Sequence, residues 1–219
     1  KSIRIKRRIF ISKQISMNKL IIAFFATIVL MSCQTTKKTI DLVAIQKYQT
    51  ELATFYTDPK TTPLVDEEKT NFKGITFFPI SEKYIVKAKF TPIKDGKVIP
   101  FPTSAKKIKN YKEYGTVTFI LDNVEQTLTV YQSSPIMEKY ADSLFLPFMD
   151  ETNGVTSYGG GRYLDLTTKD LGTTANEITL DFNQVYNPYC AYSKHYNCPI
   201  PPANNVLDVE INAGVSYHK

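Results

Sequence analysis

The sequence predicts a mainly β domain, an antiparallel sandwich or barrel-like sheet, with one amphipathic helix on its N-terminal side. Three observations carry this. From Ile75 onward apolar and polar residues alternate at period two, whereas a sustained 3–4 spacing occurs once, from Leu42 to Phe55. The 13 Phe and 14 Tyr supply ample apolar surface, which excludes disorder as the dominant state. A length of 219 residues suits one core of ordinary size and is too short for two large domains.

The helix is placed over 40–57. Leu42, Ile45, Tyr48, Leu52 and Phe55 fall on one face, and Asp58-Pro59 stops the run. Pro63 predicts an irregular stretch after it, and no second helix of comparable quality is expected. Val86, Ala88 and Phe90 alternate with Lys87 and Lys89, and Val117, Phe119 and Leu121 with Thr116 and Thr118. Leu128 and Val130, then Ile178, Leu180 and Phe182, then Leu207, Val209 and Ile211, repeat the pattern of half-buried antiparallel strands. Asp95-Gly96 and Asp122-Asn123 are read as hairpin turns.

Ahead of this domain, residues 1–32 are expected to be a leader. Leu20 to Met31 is an apolar run of twelve residues broken only by one threonine. That is shorter than the roughly 20 residues of a spanning helix and typical of a secretory apolar region. Met17-Asn18-Lys19 makes the short positive segment before it, so residues 1–16 read as an over-extended start. Leu30-Met31-Ser32-Cys33 resembles the lipobox of bacterial lipoproteins. That resemblance implies cleavage before Cys33, a diacylglycerol thioether on its sulfur and a lipidated tether over 33–39. Gln34, where enteric lipoproteins retained at the inner membrane carry Asp, points to the outer membrane. Gln34-Thr35-Thr36-Lys37-Lys38 lacks an acidic surface-export tag, which favours the periplasmic face. The expected partner is therefore the lipid bilayer, held stably because more than one acyl chain anchors the protein.

Charge excludes another partner. The formal charge of +6 arises in the leader, which holds seven basic residues and no acid; from Cys33 on the chain is nearly neutral, at about −1. Such a domain offers no general attraction to phosphate backbones, so nucleic-acid binding is not expected.

Residues 144–205 concentrate five of the nine glycines and both remaining cysteines, and they draw attention as a site. Tyr158, Gly159, Gly160, Gly161, Arg162 and Tyr163 form a Gly-rich run ending on the one arginine after residue 32. A lone Arg among 19 lysines suggests a need for planar, bidentate geometry, and glycines let a backbone approach a ligand. The competing reading is a Gly-rich turn with Arg162 paired internally to Asp150, Asp165 or Asp181. Asp181, Asn183, Asn187 and Tyr189 complete the expected ligand-binding set. Cys190 and Cys198 admit three readings. A disulfide across a nine-residue loop would contribute roughly 2.6 kcal/mol. The alternatives are a Cys190/His195/Cys198 metal site one ligand short of the usual four, and a reactive thiol with His195 as base. The disulfide suits an exported protein best, and no metal or cofactor is expected.

Leu146-Pro147-Phe148, Tyr158 to Leu164, Asp181-Phe182-Asn183 with Tyr186-Asn187-Pro188, Cys190-Ala191-Tyr192, and Cys198-Pro199-Ile200-Pro201-Pro202 with Asn205 together resemble the bacterial and archaeal family called domain of unknown function 1684. Thr62-Pro63-Leu64 and Phe72 to Pro79 resemble its first segment, so the likeness spans roughly residues 45–214. The chain departs from the pattern at Ala213-Gly214-Val215, where an acid is expected after Gly. The resemblance implies domain extent and a motif set but no reaction. The expectation is then a cell-envelope lipoprotein whose module binds a small polar or anionic ligand without catalysis. The alternatives are an envelope hydrolase using Asp150, Asp165, Asp181, tyrosine or His195 as acid and base, and a structural or assembly role.

Overall fold

The computed structural model describes residues 41–171 and 176–217. The leader, Cys33, the 33–39 tether and His218 lie outside the described residues. Helix α1 covers Leu42–Thr57. Asp41 caps it, its side chain accepting from the Ala44 N–H at 2.9 Å. The helix stops at Asp58, held extended by the proline that follows. The stretch beyond Pro63 is not wholly irregular, because a short helix α2 forms over Asp66–Asn71. Three acids in its first turn complement the helix dipole, and Glu68 accepts from the Val65 N–H at 3.1 Å.

Seven strands follow, β1 Ile85–Pro92, β2 Val98–Pro102, β3 Ile108–Leu121, β4 Val124–Ser133, β5 Ser143–Phe148, β6 Arg162–Thr167 and β7 Glu177–Asp181. They build one antiparallel sheet in the order β6-β5-β4-β3-β1-β7, with β2 also on β3. The turn at Asp122-Asn123 is a hairpin, both residues lying at positive φ as a tight two-residue turn requires. Asp95-Gly96 is not one. β1 and β2 run in the same direction along one side of β3, Lys89 facing Thr118 and Val98 facing Lys112, so the turn bulges out of a single interrupted line.

The sheet curls until its ends approach. After β7 the chain makes one turn, and Tyr186 exchanges both backbone hydrogen bonds with Tyr163 of β6, at 2.9 and 3.0 Å. The concave face holds the main core, among it Ala88, Val117, Leu128, Leu146, Leu180 and Phe182. The part of the convex face around Tyr131 is also buried, the Tyr131 ring edge-on to Phe101 and its hydroxyl donating to Asn204. β4 and β5 pair directly only at Tyr131 and Phe145. Pro147 has no N–H to give there, and the Asn205 carboxamide fills the gap, donating to Thr129 and Pro147 and accepting from the Thr129 N–H, all at 2.8 Å.

The expected strand over Leu207–Ile211 is a correction. Leu207, Val209 and Ile211 are buried in alternation, but the segment forms no ladder. It bonds to Met149 and Glu151, and further on its backbone is engaged by side chains: Ile211 and Ala213 carbonyls accept from Arg162, and the Ile211 N–H donates to Asp150.

Candidate functional site

The expected ligand set is distributed over several places. Arg162 begins β6 pointing inward and has no exposed surface. Its Nη2 meets Asp150 Oδ2 at 2.8 Å and the Ile211 carbonyl at 2.7 Å, and its Nη1 meets the Ala213 carbonyl at 2.7 Å. Phe78 and Phe148 lie 5.7 Å from the guanidinium carbon. Burial pulls its pKa down and Asp150 opposes the fall, so the guanidinium remains charged. The other Asp150 oxygen accepts from Thr152 and Ile211 backbone N–H groups. Of the two readings of Arg162, the geometry is the internal pair with Asp150, which rivets the C-terminal segment to β6.

The glycines serve the same closure. Gly161 is at φ 85°, and a Cβ there would come within 2.6 Å of Pro201 and 2.8 Å of the Phe148 carbonyl. Tyr158, Gly159 and Gly160 do line a small cavity of about 310 Å³ with Tyr217, but Gly161, Arg162 and Tyr163 take no part in it. Asp181 and Asn183 form a clasp. Asp181 accepts from the Asn183 N–H and carboxamide, and buried Asn183 is bonded to both backbone groups of Ser81. Asn187 is buried against the Tyr192 hydroxyl. Cys190 and Cys198 lie at disulfide distance with Cα atoms 6.1 Å apart, so neither sulfur is free to hold a metal or act as nucleophile. His195 points elsewhere, 3.9 Å from Glu68, beside a larger depression of about 870 Å³.

Two of the expected residues, Tyr163 and Tyr189, meet at a different cavity. It measures about 310 Å³ and lies between the convex face of the sheet and the disulfide loop. The floor is a run of rings in contact, Tyr111 stacked on Phe145 at 5.1 Å, Phe145 edge-on to Tyr163 at 4.8 Å, and Tyr163 perpendicular to Tyr186 at 5.8 Å. Tyr189 and Tyr196, 4.8 Å apart, make the wall, and the Tyr163 hydroxyl is tied to the Pro199 carbonyl. Strand parity explains the floor. Tyr163 and Asp165 point outward from β6 while Arg162, Leu164 and Leu166 point inward.

Asp165 is not itself a lining residue of this cavity but is hydrogen-bonded to one, Tyr186. Its Oδ1 accepts from the Tyr186 hydroxyl at 2.9 Å, and Phe145 is its cross-strand partner. The carboxylate is solvent-accessible yet closely surrounded; that crowding raises its pKa, and the Tyr186 hydrogen bond pulls the other way. Tyr186, Tyr111, Tyr189 and, from α1, Tyr48 all feel its charge, and desolvation with that charge raises each hydroxyl, Tyr111 to about 12. No lysine, arginine or histidine among the described residues lies at ion-pair distance from Asp165. Tyr111, Phe145, Tyr186 and Tyr196 were not expected as site residues. They come from distant segments, and the signal available was the outward phase of Tyr163 and Asp165 against the inward Leu164 and Leu166.

The family model described as "Protein of unknown function (DUF1684)" matches residues 70–216, which hold the whole sheet, both cysteines and the C-terminal segment. The solution NMR structure of an uncharacterized protein of Haloarcula marismortui is similar, with a TM-score of 0.63 and 32% sequence identity. That match covers 80% of this chain and 93% of the other. No curated protein gives a significant match.

Proposed function

The chain belongs to the DUF1684 family, and from that premise we propose that it is a cell-envelope lipoprotein with a non-catalytic domain binding a small polar ligand in the tyrosine-lined cavity. Anchoring is supported by the sequence Leu30-Met31-Ser32-Cys33 behind its apolar run. Binding is supported chiefly by one observation: a carboxylate with no ion-pair partner among the described residues, hydrogen-bonded to a tyrosine that lines a concave cavity of aromatic rings. Small-molecule sites combine such apolar walls with a few polar groups that fix orientation. The cavity is built on sheet strands and a cross-linked loop, which hold it open before a ligand arrives.

Two measurements test the two halves. Cys33→Ala is expected to abolish labelling by a fatty-acid probe and leave the protein unprocessed or unanchored; equal labelling of the variant overturns the anchor. Since the chain has no tryptophan, its intrinsic emission is that of tyrosine. A saturable change of that emission with a small polar solute, reduced in Tyr111→Ala, is expected. If native mass spectrometry finds no retained ligand and a broad solute panel leaves the emission unchanged, the binding half falls.

A further inference from the structure

We propose that the cavity takes an organic cation, an amine or quaternary ammonium group, with Asp165 as its counter-ion and the tyrosine rings as its walls. This rests on the binding role proposed above and names the ligand's chemistry. The faces of phenol rings carry negative quadrupolar potential and attract a cation held against them, best where water is partly excluded. Here the rings come from the sheet, the 186–189 segment and the disulfide loop, so a ligand entering the space meets several at once. A neutral apolar ligand would use the rings and leave the carboxylate unanswered. A purely anionic one would be repelled by it.

The placement of Asp165 is specific. It is two residues from Tyr163 on the same face of β6, directly across from Phe145, and bonded to Tyr186, so it neighbours three residues of the floor. The one lysine that lines the cavity, Lys109, is exposed and lies on β3, three strands away from β6 in the sheet order. At about 4.8 Å per strand the two backbones stand roughly 14 Å apart, more than a Debye length at physiological salt. Lys109 makes no ion pair with Asp165. Its position also favours a ligand whose cationic end is at β6. The Arg162 guanidinium is on the opposite face of the same strand, sealed from solvent, with both of its terminal nitrogens engaged by Asp150 and backbone carbonyls.

The test compares choline with 3,3-dimethylbutan-1-ol, which keeps the branched shape and loses the charge, by calorimetric and tyrosine-emission titration of the folded protein. N-acetylglucosamine and inorganic phosphate complete the panel. The expected result is at least a tenfold preference for choline over its neutral analogue, abolished in Asp165→Asn, whose melt should match the parent. The shape-matched pair is read on the unmutated protein, so the comparison stands even if a variant folds poorly. Equal binding of the two, or binding of the sugar or phosphate in place of choline, overturns the cation assignment and leaves the cavity as a site for another small ligand. If no member of the panel binds at millimolar concentration, the cation assignment falls. The broader binding role is then judged by the native mass spectrometry described above.

Discussion

Arg162 and Asp165 stand three residues apart on one strand, yet they face opposite sides of the sheet and live under opposite rules. The inner residue is sealed from water, faced by a carboxylate, three backbone carbonyls and two phenylalanines. The outer one keeps access to solvent and has one tyrosine hydroxyl for company. A sealed charge must find all of its partners within the protein, because nothing else can supply them. An open charge can leave part of its hydrogen-bonding capacity to water or to a ligand. The residue that looked most like a binding group by its rarity is thus the one the fold consumes.

The largest effect expected from breaking this contrast is on the inner side. Arg162→Ala leaves Asp150 buried and uncompensated, and Asp150→Asn leaves a buried guanidinium without its counter-ion; each should cost about 3–5 kcal/mol. Arg162→Lys should lose most of that too, since an ammonium cannot span Asp150 and the carbonyls of Ile211 and Ala213 together. Thermal and denaturant melts measure this. A loss below about 1 kcal/mol in Arg162→Ala would mean the pair is not the rivet described.

Next comes the loop that walls the outer cavity. Replacing Cys190 and Cys198 by serine should cost about 2–3 kcal/mol through the freed unfolded chain. Because Cys198, Asn197 and Pro199 line the cavity, the same change should blunt any ligand response more than a surface mutation of equal cost. Thiol titration of the oxidised protein should find neither sulfur until it is reduced.

The rings themselves give a smaller, pH-dependent effect. In the folded state Tyr111 is raised to about 12 from an ordinary value of 10. Below pH 10 the phenol is neutral in both folded and unfolded chains, and its contribution is intact. As pH rises from 10 towards 12 the unfolded chain loses its proton first and stability falls. At pH 11 this amounts to about 1.4 kcal/mol for the one ring. Melts of the parent and Tyr111→Phe at pH 8 and pH 11 isolate it: the variant should lose less between the two. An equal loss in both would show that the ring is not desolvated.

The same inner–outer contrast explains what could be read from the sequence. β1, β3, β4 and β7 were legible because Val86, Val117, Leu128 and Ile178 each head a run with one wet face over part of its length. β5 and β6 were not, because Phe148, Arg162 and Tyr163 are buried on both sides of the sheet and the alternation disappears. β2 hid behind Pro100 and Pro102, tolerated at the margin of the ladder. Leu207 to Ile211 carried a strand's pattern, yet Arg162 and Asp150 claim the backbone groups at its end. At the site, glycines and a lone arginine form a compact local motif. Tyr111, Phe145, Tyr163 and Tyr196 are brought together only by the curl of the sheet and the cross-linked loop, and no window of sequence contains them.

The smallest effect should be on the outer face, where its smallness is informative. Tyr186→Phe removes the hydroxyl that donates to Asp165 and keeps the ring, with its edge-on packing against Tyr163. In a sealed site this would strand a carboxylate. Here water reaches Asp165 and can replace the lost donor, so the net change in stability should be about 1 kcal/mol or less. The carboxylate should answer in its own titration. The hydrogen bond from Tyr186 lowers its pKa against the crowding that raises it, so in Tyr186→Phe the Asp165 pKa should rise further. Proton-coupled carbon shifts of the Asp165 side chain measure that directly. A rise with an unchanged melt identifies an open charge steered by a tyrosine. A large loss of stability would instead make Asp165 a second rivet and erase the difference between the two faces of β6.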